Sequence, residues 1–408
     1  MVKLQPSKLI MRVRFPLPAS ATGSGRWSPP APDSRLLSSE DMINKRKALL
    51  LSAGYGRGHH SAAAALAEEL QRRGWDTQIL DACQAARPSL FRLTQMFYRF
   101  CVRHAPHLWG SVYRQLDSAN WSRLIKLPAV AAGTRLLRRV LQTEEPDLVV
   151  CTYPLYAYML DTLAAEGKLH APYAIVVTDS LAISSPWLLS DAPLICLPDE
   201  LSHELVSLSF SLPPERLVTT GFPVRAAFTP GERPTPGPRG EGLHIIYCAN
   251  SADPRALTDA QAMLAEWPAM RLTLITERPT QQLLDLRRHY AGAQICQANQ
   301  DMAELMRTAH LYIGKAGGAS TYEAYSAEVP VLVNYILPGQ EEGNLQLLQH
   351  DSAGFRATDT ETLMHTLRDL LGNNAAGWQR ACAAMHAARR SGGAARTADA
   401  LERRFFAT

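Results

Sequence analysis

Short, unbroken apolar runs alternate along this chain with longer stretches whose apolar positions recur every three to four residues. The runs at 47–53 (KALLLSA), 147–153, 173–179 (YAIVVTD) and 192–198 predict strands, as does the more polar 76–82 (DTQILDA), and a strand covered on both faces needs no polar alternation. Between them, an alanine-rich stretch ending at Arg73 and the segment 155–166 carry helical spacing, and an unusually long helical stretch, 88–142, separates 76–82 from 147–153. The rhythm restarts at Leu243 with strand 243–250, helix 254–267, strand 271–276, helix 280–290 and strand 293–297. It continues with strand 309–313, helix 320–328 (STYEAYSAE), strand 330–335 and helices from Thr360 to Phe406. Strands alternating with helices at this spacing predict an α/β fold of two parallel, doubly wound, Rossmann-like domains.

Length and punctuation agree with a division in two. A chain of 408 residues, 46% apolar, is too long for one comfortable core. Residues 228–242 are crowded with proline and glycine and read as the linker between a first domain, 46–227, carrying an insertion at 87–142, and a second, 243–408. Residues 1–45 read as a disordered leader of arginines, prolines and serines, with Met42 as the natural start. Arg12 and Arg14 interrupt its only apolar stretch, which excludes a signal segment. Deleting residues 1–41 is expected to change neither melting temperature nor activity; a clear loss of either would mean that the leader docks on the fold. The net charge of +4 is small, no apolar run reaches the length of a membrane span, and the seven cysteines are odd in number and without C-x-x-C spacing. That pattern argues for reduced thiols and a cytoplasmic protein.

Chemistry concentrates in two glycine turns, each placed where a strand gives way to a helix. In the second, 314–344, Lys315, Gly317 and Gly318 precede a helix opened by Ser320 and Thr321. Free N–H groups and the positive end of a helix dipole meet there, and glycine lets an anion approach, so the turn suits a diphosphate. Glu323, one turn further, is placed to accept two vicinal ribose hydroxyls, and the loop 338–344 (PGQEEGN) brings Gln340, Glu341 and Asn344 together for a sugar ring. In the first turn, Gly54 to Gly58 lead into His59, whose pKa range suits acid–base work. Asp179 ends a strand at the same sheet edge and is placed to orient that histidine or an acceptor hydroxyl. Each residue taken alone also fits an ordinary strand-turn-helix, a capping histidine or a turn-capping aspartate. No metal-ligand cluster is visible.

The segment KAGG-(x)4-EA-(x)5-PVLV-(x)4-PGQEEGN at 315–344 resembles the nucleotide-sugar site of the glycosyltransferase family that contains monogalactosyldiacylglycerol synthase and the bacterial processive diacylglycerol glucosyltransferases. It is similar, more distantly, to the N-acetylglucosaminyltransferase that completes lipid II. The turn G-x-G-H-(x)2-A at 56–62 is similar to the same family's GGGH-x-x-A turn, and 218–225 resembles the turn that closes its first domain. The resemblance implies a GT-B arrangement of two domains facing across a cleft, with the last helix crossing back to the first domain. It implies His59 as catalytic base, Gly317, Gly318, Ser320 and Thr321 at the diphosphate, Glu323 at the ribose, and Gln340, Glu341 and Asn344 at the donor sugar. The implied activity is inverting transfer of a hexose from a UDP-sugar to a membrane lipid such as diacylglycerol, with no further cofactor, on the inner face of the cell membrane. Two positions depart from the family: Ser184 stands where the family has histidine, although Trp187 is in place, and 250–254 replaces a glycine-rich turn. A polyprenyl-linked acceptor, a UDP-sugar epimerase working through carboxylates, and a noncatalytic nucleotide-sugar-binding protein stay open.

Local charge adds a partner. Between Arg87 and Arg139, ten arginines and lysines accompany one acid, Asp117, among Phe91, Phe97, Tyr98, Phe100, Trp109, Tyr113 and Trp121. Arg92, Arg99 and Arg103 share one helical face while Leu90, Leu93, Phe97 and Phe100 share another. Basic and apolar stripes of this kind fit an anionic membrane surface, or a core helix with a solvated basic side. No nucleic-acid-binding module accompanies them.

Overall fold

A computed structural model describes residues 45–54, 58–104, 127–249, 255–277, 279–297, 300–337 and 341–407. The leader with Met42, the middle of the insertion with Trp109, Tyr113, Asp117 and Trp121, the turn 250–254, and Gln340 lie outside the described residues.

Six strands, β1 (Lys47–Leu51), β2 (Asp76–Leu80), β3 (Leu148–Cys151), β4 (Tyr173–Val176), β5 (Ile195–Leu197) and β6 (Leu217–Thr219), form a parallel sheet ordered β2-β1-β3-β4-β5-β6. Six more, β7 (His244–Cys248), β8 (Arg271–Thr276), β9 (Ala293–Gln297), β10 (Leu311–Lys315), β11 (Val331–Tyr335) and β12 (Gly354–Arg356), form a second, ordered β12-β11-β10-β7-β8-β9 and again parallel. Helices cover both sheets, so the apolar runs are buried on both faces: Leu49 packs with Leu137 and Val149, while Leu50 packs with Leu66 and Val150 on the other side. The second order is the doubly wound dinucleotide-fold order; strand order reverses between β7 and β10, and in the first sheet between β1 and β3. Those two reversal points open crevices at the carboxyl ends of the strands, and both glycine turns stand there.

An apolar cluster runs through the boundary between the sheets, joining Ala62, Phe222 and Val224 to Ala319, Tyr322 and Tyr325. At its centre the Tyr322 ring stacks on Phe222 at 5.0 Å. Its hydroxyl lies 2.7 Å from Ser180 Oγ and donates to Asp199 Oδ2 at 2.9 Å. A Cβ on Gly343 would stand 1.9 Å from the Ser180 carbonyl oxygen, so the second domain's backbone meets the first directly. The last helix, Gly393–Phe405, lies on the first domain, where Ala398 and Leu401 join Ala63, Leu66, Leu70 and Trp75 in one cluster. Arg73 holds Asp399 and Glu402 at 2.7 and 2.8 Å, and the Trp75 indole N–H donates to Glu402 at 2.9 Å.

The insertion begins with helix Pro88–His104, which buries Phe91 and Cys101 and turns Leu93 (61% exposed), Met96 (65%), Phe97 (53%) and Phe100 (58%) outward. The apolar stripe read from the sequence is therefore not the core face of this helix. None of the described helices is long and apolar enough to cross a membrane.

Candidate active site

The first turn leaves β1 and is pinned by Asp81. Its Oδ2 accepts from the Gly54 N–H at 3.1 Å, and its Oδ1 accepts from the Gln84 N–H at 2.8 Å and the Tyr156 hydroxyl at 2.6 Å. His59 then sits in the first turn of helix Gly58–Arg72 and is only 8% exposed. Its Nδ1 lies 2.7 Å from Thr178 Oγ1, and its main-chain carbonyl accepts from the Thr152 hydroxyl at 3.0 Å. The ring packs edge-on to Tyr153 at 5.1 Å and tilted against Trp187 at 6.0 Å. Burial lowers the His59 pKa to about 4, so the imidazole is neutral at pH 7.

Asp179 makes no hydrogen bond to the His59 ring among the described residues. Its Oδ2 accepts from the Trp187 indole at 2.7 Å, and burial raises its pKa to about 6 although that bond works the other way. The indole that Asp179 holds is the one whose ring packs against His59. Asp179 was the residue expected to meet His59; its neighbour Thr178, in the stretch that follows β4, is the one whose side chain does so.

On the donor side, the β10–β11 register shifts between Gly314 and Lys315, so that Lys315 pairs in register with Tyr335. Helix Gly318–Ala327 follows with Gly317 as its N-cap and no side chain capping it, which leaves leading N–H groups directed into the crevice. Lys315 pairs with Glu341. Burial pulls the Lys315 ammonium down, but Glu341 outweighs it and holds the pKa above its ordinary value. Glu341 was expected at the sugar; it is instead 3% exposed, with one oxygen on Lys315 and the other accepting from the Leu337 N–H at 3.0 Å. It holds the lysine and the loop in place. Ser320 is half-buried and donates to the Gly317 carbonyl at 3.1 Å, whereas Thr321 is 1% exposed with its hydroxyl enclosed and without a hydrogen-bond partner among the described residues. Glu323 is half-buried one turn along. Asn344 donates from Nδ2 to the Ala316 carbonyl at 2.9 Å, and its Oδ1, buried, has no hydrogen-bond partner among the described residues. An orphaned buried acceptor at this edge suits a ligand hydroxyl.

The start of the donor helix meets the first domain: a Cβ on Gly58 would stand 3.9 Å from the Ala319 main-chain nitrogen. A Cβ on Gly318 would stand 2.7 Å from the Thr178 carbonyl oxygen and 3.9 Å from Asn344 Nδ2. Glycine is required there because the donor turn lies directly against the residue that holds His59. Among the described residues, no group of three His, Cys, Asp or Glu side chains could hold a metal ion.

Residues 59–224 match the monogalactosyldiacylglycerol (MGDG) synthase family. The chain is 24% identical over 347 residues to a processive diacylglycerol beta-glucosyltransferase of Bacillus cereus (strain B4264), covering 81% of this chain and 87% of that one. Among solved structures, the glycosyltransferase of kitacinnamycin matches with a TM-score of 0.60 at 14% identity, over 89% of this chain and 100% of that one. The UDP complex of S. aureus MnaA matches with a TM-score of 0.54 at 13% identity, over 89% and 97%. The fold is GT-B, and fold, facing turns and relatives together define a hexosyltransferase. Within that class, the matches lie with the family of monogalactosyldiacylglycerol synthase and the processive diacylglycerol glucosyltransferases.

Proposed function

We propose that this chain moves a hexose from a UDP-sugar to the hydroxyl of a membrane lipid such as diacylglycerol, with inversion at the anomeric carbon. The observation that carries the reading is the packing of Gly318, at the start of the donor helix, against the main chain of Thr178, whose side chain lies 2.7 Å from the buried, neutral His59. In this scheme the acceptor O–H proton passes to His59 as the oxygen attacks the anomeric carbon. The bond to the diphosphate breaks, and its electron pair leaves with the diphosphate oxygen. The leading N–H groups at Gly318 and the Lys315 ammonium stabilise that departing charge. Glu323 receives the ribose hydroxyls, Asn344 offers its unpaired oxygen to the sugar, and no cofactor beyond the donor is needed. UDP release from UDP-glucose and UDP-galactose, measured with and without diacylglycerol vesicles, tests the reading. Release that depends on the lipid is the expected result; tight UDP binding with no release under any condition would make the chain a binding protein.

The lipid acceptor requires the enzyme to reach a bilayer, and the outward ridge Leu93, Met96, Phe97 and Phe100, flanked by exposed Arg92 and Arg99, fits peripheral docking on the cytoplasmic leaflet. Each arginine near an anionic surface contributes about 1 kcal/mol. Liposome flotation is therefore expected to rise with anionic lipid, fall with salt, and weaken when Arg92, Arg99 and Arg103 become glutamine. Equal binding to neutral liposomes, or none to anionic ones, would remove the docking role and leave the transfer reaction standing.

A further inference from the structure

We infer that Thr178 is a positioning residue for the transfer, fixing the tautomer of His59 and registering its ring against the donor turn. The inference rests on the reading of His59 as base. A neutral imidazole carries one N–H and one lone pair, and only the lone pair accepts a proton. With Nδ1 at 2.7 Å from Thr178 Oγ1, the hydroxyl accepts from an Nδ1–H or donates to an Nδ1 lone pair, and only the first arrangement, the one assigned to His59, leaves the lone pair on Nε2. The opposite tautomer would put hydrogen on Nε2 and disable the base. Thr178 is 3% exposed, so water does not compete for its hydroxyl.

The neighbouring groups do not supply this contact. Asp179 is engaged by the Trp187 indole, the Thr152 hydroxyl reaches the His59 main-chain carbonyl and not the ring, and Tyr153 and Trp187 fix the plane of the imidazole by packing. Packing sets where the ring lies but is indifferent to which nitrogen bears hydrogen. The same residue touches the other domain, because the Thr178 carbonyl oxygen is the atom that leaves no room for a side chain on Gly318. One residue therefore meets the base with its side chain and the diphosphate turn with its main chain, so the distance from base to anomeric carbon is set through it.

Thr178→Val keeps the shape and removes the hydroxyl, and Thr178→Ser restores it. Turnover of UDP-sugar with diacylglycerol vesicles, UDP affinity by calorimetry, and histidine tautomers by nitrogen NMR of ¹⁵N-histidine-labelled full-length protein are measured on each. Thr178→Val is expected to lower kcat by about 10–100-fold, a part of the range for a misplaced general base, with UDP affinity within about twofold. Its His59 signals should move from a single Nδ1–H form toward a mixture, and Thr178→Ser should recover both kcat and the single form. A folded Thr178→Val with unchanged kcat, or an Nε2–H tautomer in the unsubstituted protein, would overturn the inference. The spectrum of the unsubstituted protein reads the tautomer whether or not the valine variant folds. If His59→Ala lowers transfer while a folded Thr178→Val leaves kcat unchanged, Thr178 is refuted and the reaction stands; if the unsubstituted protein releases no UDP, the reaction itself fails.

Discussion

Replacing His59 with alanine is expected to lower turnover by about 10²–10⁴, the range for losing a general base, while leaving UDP affinity nearly unchanged. The separation follows from the geometry: His59 is in the first domain, held by Thr178, while the UDP contacts assigned here all come from the second. Turnover and calorimetry on one preparation check it, and an equally active variant would remove His59 from the chemistry. Acidity gives the same claim a second reading. Because burial brings His59 to about 4, below the ordinary 6.5, the base form persists as pH falls through the usual histidine range and is lost only near pH 4. Asp179, raised to about 6, is protonated earlier. A loss of kcat/KM near pH 6 that disappears in Asp179→Asn would belong to the carboxylate, and the remaining acid limb near 4 to the base.

Glu323→Ala is expected to weaken UDP binding by about 1–3 kcal/mol, roughly 5–150-fold, because two ribose hydroxyls would lose a charged acceptor at a half-buried site. Glu323 lies on helix Gly318–Ala327, which stays anchored through Tyr322 on Ser180 and Asp199, so the loss should appear in affinity with melting temperature little changed. Titration calorimetry with UDP checks this. Unchanged affinity would move the nucleotide elsewhere in the crevice.

Both glycine turns were legible in the sequence because each is local: an apolar run, glycines, and a polar residue opening a helix follow one another within about fifteen residues. The pairings between distant segments were not. Tyr322 reads in sequence as one more residue of a short helix, yet its hydroxyl bonds Asp199, 123 residues away, at the boundary of the two sheets. Glu341 reads as a sugar ligand because the loop around it is polar. Its commitment to Lys315 depends on β10 ending beside that loop, which spacing does not reveal. The apolar stripe from Leu90 to Phe100 was visible as a stripe. That it faces outward became clear only when Phe91 and Cys101 were found to be the buried residues of that helix. Asp179 reads as the partner of His59 because it ends an apolar run at the same sheet edge, yet the side chain that meets the imidazole is that of its neighbour Thr178, 119 residues from His59.

Inverting transfer to a lipid hydroxyl with His59 as base leaves its signature in the configuration of the product. The protein is incubated with α-linked UDP-glucose or UDP-galactose and diacylglycerol vesicles, and the extracted lipid is examined by proton NMR at the anomeric position. The account requires a β-linked glycolipid formed in step with free UDP, and its near absence with His59→Ala. An α-linked product, or a donor converted to its epimer with no sugar on the lipid, would contradict it.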